Sequence, residues 1–146
     1  MTDTGTAADT GAAFRQLGER LRSRGLVCLV SDLFVDPPSF DAALAQLHHR
    51  GHEVIVCHVL HGDELSFPFR DYAQFTGLEH PRAIRADPRS LRTAYLEVVD
   101  KYLHTMRRTC AQRRADYVLL DMRAPLDAAL AQYLAARGRQ LRRARR

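Results

Sequence analysis

Three short apolar runs, each ending abruptly on a polar or acidic residue, constrain this chain more than any other feature. Leu26 to Val30 runs into Ser31 and Asp32, Val54 to Leu60 into His61, Asp63 and Glu64, and Tyr117 to Leu120 into Asp121. Runs apolar on both faces are the pattern of strands buried in a parallel sheet, whereas a strand with one wet face would alternate. Parallel strands need crossover connections, and helical spacing fills the gaps between the runs. Phe40, Ala43, Leu44 and Leu47 make one helical face, closed by Gly51, and Leu91, Tyr95, Val98, Tyr102, Met106 and Cys110 make a stripe of about six turns. Phe14, Leu17 and Leu21 precede the first run, with Gly25 as the stop, and Pro125 opens a last helix through Leu126, Leu130, Tyr133 and Leu134.

Punctuation supports the same order. Pro37 and Pro38 break the chain and Ser39 is placed to cap the next helix, while Asp87-Pro88 is a capping carboxylate followed by proline at the first helical position. Leu21, Arg24 and Gly25 recur as Leu47, Arg50 and Gly51, a spacing that fits one strand–helix unit. Residues 62 to 88 break the rhythm with Phe67, Phe69, Tyr72 and Phe75, which predicts an excursion holding a short hairpin packed on its rings. Right-handed crossovers would then make the three strands parallel and adjacent. The predicted fold is α/β: a three-layer-type, Rossmann-like partial sheet of about three parallel strands with helices, plus the hairpin excursion. Residues 1–11 read as a flexible N-terminus, 12–137 as the partial domain and 138–146 as a basic tail.

Charge narrows the partner classes. The net charge of +5 comes from arginines gathered between Arg137 and Arg146, and the remaining body carries −1. A folded nucleic-acid binder carries its basic stripe on the body, so nucleic acid is not the expected partner. No apolar run reaches the roughly 20 residues needed to span a bilayer, and Met1 to Thr10 has neither a basic nor an apolar segment of a signal peptide, so the cytoplasm is the expected compartment. Cys28, Cys57 and Cys110 form no CxxC pair and read as buried small hydrophobes.

Catalytic patterns are missing from the sequence. There is no P-loop, GxGxxG or GxSxG, and Asp32-Leu33-Phe34 puts phenylalanine where an aspartyl phosphatase needs its second carboxylate. His48, His49 and His52 lack the glutamate of HExxH and suit a helix end, where cationic histidine complements the dipole. Ligands of parallel sheets bind outside the carboxyl ends of the strands. That rim carries Asp32, His61, Asp63, Glu64 and Asp121. It reads either as a hard-cation site or as the polar residues any buried strand shows where it meets solvent.

Taken in order, Arg24-Gly25-Leu26-Val27, Val30-Ser31-Asp32-Leu33-Phe34, Arg50-Gly51-His52-Glu53-Val54, Asp63-Glu64-Leu65, Phe67-Pro68-Phe69 and Phe75 with Leu78-Glu79 resemble the domain of unknown function 58 family. The likeness resumes at Asp87-Pro88, Tyr95, Asp116-Tyr117-Val118, Pro125-Leu126-Asp127 and Tyr133-Leu134, and spans residues 12 to 137. It implies the C-terminal half of a von Willebrand factor A-like domain, with a metal-ion-dependent adhesion site at the strand ends. Asp32 matches the last aspartate of that site. The DxSxS segment would lie before the first residue, and the threonine's place falls on Ala8, so the implied site is incomplete. Magnesium would bind there only if another chain completed it.

The resemblance also implies an adaptor for a MoxR-type AAA+ ATPase. The expected function is a non-enzymatic interaction or scaffold module, pairing with itself or a partner through an exposed sheet edge. The alternative is a divalent-cation binder or metal-dependent enzyme built on Asp32, with Asp63, Glu64 and Asp121 as its rim.

Overall fold

In a computed structural model, the structure describes residues 16, 20, 21, 23–69, 73–76, 83–86 and 88–144. The elements run β1 (Leu26–Ser31), α1 (Pro37–His49), β2 (Glu53–Leu60), α2 (Gly62–Ser66), β3 (Ala73–Thr76), β4 (Ala83–Ala86), α3 (Pro88–Gln112), β5 (Asp116–Asp121) and α4 (Leu126–Ala144). The three apolar runs form one parallel sheet in the order β1-β2-β5, and β3 pairs antiparallel with β4 as the expected hairpin. The fold is therefore α/β with an open, partial Rossmann-like sheet. Phe14 and Leu17 of the expected first helix, and Tyr72, lie outside the described residues.

Local chemistry sets the element ends. The first crossover helix begins earlier than its sequence predicts: Asp36, not Ser39, is the N-cap, and its carboxylate accepts from Ser39 N at 3.1 Å. Pro37 and Pro38 open the helix instead of delaying it, because first-turn positions have no use for the missing N–H. At the other end, His52 N donates to Leu47 O and Gly51 N to His48 O, with Gly51 at a φ of 81°. This is a Schellman end, and glycine takes the left-handed position without strain. The short helix α2 was not visible as a periodic pattern; His61 caps it by accepting from Asp63 N at 3.2 Å.

The core lies on one face of the sheet. Side chains alternate along a strand and paired residues share a face, so Val27 and Leu29, Val54, Val56 and His58, and Tyr117 and Leu119 point the same way. They meet Phe40, Leu44 and Leu47 of α1 and Met106 and Cys110 of α3, with Leu21 and Tyr102 packed at the margin. Two like-handed crossovers that advance across the sheet in one direction put both helices on this face. The α3 stripe turns slightly from its predicted line: Val98 is exposed and the half-buried Val99 replaces it, while Tyr95 stacks on Phe67 at 4.7 Å.

Among the described residues, only α4 packs on the opposite face. Tyr133 OH donates to Asp116 Oδ2 at 2.6 Å, and Arg137 donates to the same oxygen at 2.8 Å and also reaches Glu53. Asp116 and Glu53 both belong to this second face, which anchors α4 across the starts of β5 and β2. The helix continues through Gly138 to Ala144, so the arginine-rich stretch read as a tail from residue 138 is helical to that point. On this face of β1, Leu26 is 60% and Val30 66% exposed.

Candidate functional site

The turn after β1 is held by a buried polar network. Leu33 sits at a φ of 53° with its side chain fully buried, a left-handed position that needs support from its surroundings. Ser31 Oγ accepts from Leu33 N at 3.0 Å. Tyr102 OH donates to Leu33 O and reaches Val35 O at 3.2 Å. His58, fully buried in the middle of β2, reaches Asp32 O through Nε2 at 2.9 Å and Tyr117 OH through Nδ1 at 2.8 Å.

A carbonyl only accepts, so Nε2 carries the hydrogen, and in the neutral ring Nδ1 accepts from Tyr117. Burial pushes His58 below the usual histidine range, against the opposing pull of the Asp32 carbonyl and the charges of Asp32 and Glu64. Burial likewise pushes the Tyr117 hydroxyl up to about 12. Arg107 lies 5.5 Å from the Tyr117 ring centroid, on its face.

This network fixes the backbone and leaves the Asp32 carboxylate pointing outward. Its Oδ1 accepts from Phe34 N at 3.3 Å and lies 3.4 Å from Ser31 Oγ. Beside it opens a groove of about 510 Å³, lined by Val30, Ser31, Asp32, Phe34, Val59, His61, Glu64 and Met122. The groove sits at the carboxyl ends of β1 and β2, where open α/β sheets place their ligands.

The predicted rim residues divide into two groups. Asp32, His61 and Glu64 share the groove, whereas Asp63 and Asp121 gather around Arg123, whose guanidinium lies 3.5 Å from Asp63 and 3.4 Å from Asp121. Backbone and guanidinium hydrogen bonds from Arg123 hold Asp121 below the usual carboxylate range. Gly62 gives Arg123 its room, since a Cβ there would displace the guanidinium. Glu64 is engaged locally, accepting from His61 N at 2.7 Å.

Among the described residues no three His, Cys, Asp or Glu side chains gather closely enough to hold a metal ion. Among the described residues, the donor set around Asp32 does not fit magnesium. His48 and His49 are exposed at the end of α1 while His52 is buried, so the three do not converge. Cys57 and Cys110 are buried as expected, but Cys28 is exposed, because it points to the face α4 leaves open.

A family model described as a protein of unknown function, DUF58, matches residues 2–105. The chain belongs to the DUF58 family. That match holds β1, β2 and every lining residue of the Asp32 groove of this DUF58 protein but Met122, and it stops within α3. Motifs from Asp116 onward that also resemble the family fall beyond it. No curated protein and no solved structure matches the chain.

Reading residue types in order missed His58, Tyr102 and Tyr117 as a unit. The available signal was one histidine inside an apolar strand. Most buried polar groups are hydrogen-bonded, so its position pointed to polar groups on neighbouring elements.

Proposed function

We propose that this DUF58 protein is a non-enzymatic interaction module whose open sheet face receives an amphipathic helix from another protein. The observation that carries the reading is the row of exposed apolar groups along β1 and the groove: Leu26, Val30, Phe34 at 68% and Met122 at 67%. Contiguous apolar surface of this kind marks interaction sites. β1 is also an edge strand with its outer hydrogen-bonding groups unpaired among the described residues, which favours pairing with another chain.

Charge states which helix suits the surface. Asp32 and Glu64 border the apolar row at the groove, so a helix with apolar anchors and a basic end is complementary. The chain also resembles the C-terminal half of a von Willebrand factor A-like domain. The same resemblance makes a MoxR-type AAA+ ATPase the partner to try first. No comparable observation favours the divalent-cation reading.

The test is fluorescence anisotropy of the labelled chain titrated with a purified MoxR-type ATPase. Saturable binding that weakens at least tenfold in Val30→Asp/Phe34→Asp supports the reading. Binding that is indifferent to the double substitution rejects it.

A further inference from the structure

We infer that Cys28 and Cys57 form a two-thiolate site for a soft cation of the copper(I) class. Their sulfurs lie 4.0 Å apart. Cys28 partners Ile55 and Cys57 partners Val30, so the two residues stand on the same face of neighbouring parallel strands, diagonal to one another. Cys28 is exposed and Cys57 buried, which lets an ion enter from solvent and reach a thiolate set in an apolar wall. Leu26, Val30, Ile55, Val59 and Val118 flank the pair on this face, and the carboxylates that share it, Glu53 and Asp116, are held by Arg137. Soft thiolates without hard donors select soft ions.

Geometry separates the possible occupants. Structural zinc needs four ligands, and the described residues bring together no group of three. Metal–thiolate bonds of about 2.3 Å spanning this gap would subtend an angle of about 120° at the ion. That angle suits a trigonal ion whose third position faces solvent or a small thiol. A disulfide fits less well: strands about 4.8 Å apart and a stagger of about 6.6 Å put the α-carbons about 8 Å apart. Bridgeable cysteines lie within about 7 Å.

Binding involves no redox change. One Cu⁺ replaces the protons of two thiols, giving a bis-thiolate complex of charge −1 and releasing two H⁺. Burial, reinforced by the neighbouring Cys28, pushes the Cys57 thiol up to about 11, so the ion must displace that proton.

The site does not depend on the docking reading, and its test needs only the isolated chain. Fully reduced protein is titrated anaerobically with Cu(I) bicinchoninate. The expected result is transfer of one copper per chain, with affinity falling at least about tenfold in Cys28→Ser. Cys28 is exposed, so this variant keeps the fold, checked by circular dichroism; Cys57→Ser is expected to lose copper as well. Undiminished affinity in Cys28→Ser, or one copper per two chains, would overturn the inference.

Discussion

Replacing His58 separates its hydrogen bonding from its charge. In the folded chain Nε2 donates to Asp32 O and Nδ1 accepts from Tyr117 OH, within a pocket that also faces Tyr102, Asp32 and Glu64. Glutamine offers an amide donor group and a carbonyl acceptor but does not titrate. Leucine offers neither and leaves the Asp32 carbonyl and the Tyr117 hydroxyl without their partner, a cost of roughly 2–6 kcal/mol for two such groups.

The pH response has a definite sign. The folded-state value is depressed, so below the unfolded value of about 6.5 the unfolded chain binds a proton that the folded chain refuses. Stability is complete above about pH 6.5 and falls as the pH drops, by at most about 1.4 kcal/mol per unit, until the folded value is reached. Urea unfolding at several points between pH 5 and 8 measures this. The wild type should lose stability through that window, His58→Gln should lose measurably less, and His58→Leu should be weak at every pH. Identical slopes for wild type and His58→Gln would refute the assigned tautomer and network.

Other perturbations test other parts of the structure. Phe40→Ala empties a fully buried site of α1 and should cost about 3–5 kcal/mol in urea unfolding. Asp41→Ala breaks the bond with Arg113, but both side chains are more than a third exposed, so the loss should stay below about 1 kcal/mol. Arg137→Ala removes the donor that joins α4 to Asp116 and Glu53, and should speed amide exchange in α4 while leaving α1 protected. Magnesium should leave the melting temperature unchanged, and a saturable rise lost in Asp32→Ala would contradict the donor geometry described above.

The strands were legible because all three runs are apolar on both faces, even where, as on β1, one face is exposed. The runs from Leu26, Val54 and Tyr117 match β1, β2 and β5 to within a residue at each end. Their parallel, adjacent pairing followed from the helical crossovers between them, while the order β1-β2-β5 came only from the structure. Exposure was less legible, because it depends on what covers each face. Cys28 lies in an apolar run like Cys57, yet among the described residues only α4 packs on that side, and its polar anchors are on β5 and β2.

The site was only half visible. Asp32 stood out at a strand end, but what holds its turn comes from β2, α3 and β5, elements far apart in sequence. The rim carboxylates could be named, but not the arginine that answers two of them. Arg123 reaches both Asp63 and Asp121 only through the close approach allowed at Gly62. A pairing across β2 and β5 leaves no periodic trace in the chain.

The account rests most heavily on the open face of β1 as a receptive surface. Binding of a fluorescent hydrophobic dye, with light scattering on the same samples, tests it most directly. The reading predicts that the wild-type chain binds dye or self-associates and that Val30→Asp/Phe34→Asp abolishes both while the fold is retained. A stable wild-type monomer with no affinity for the dye would contradict it.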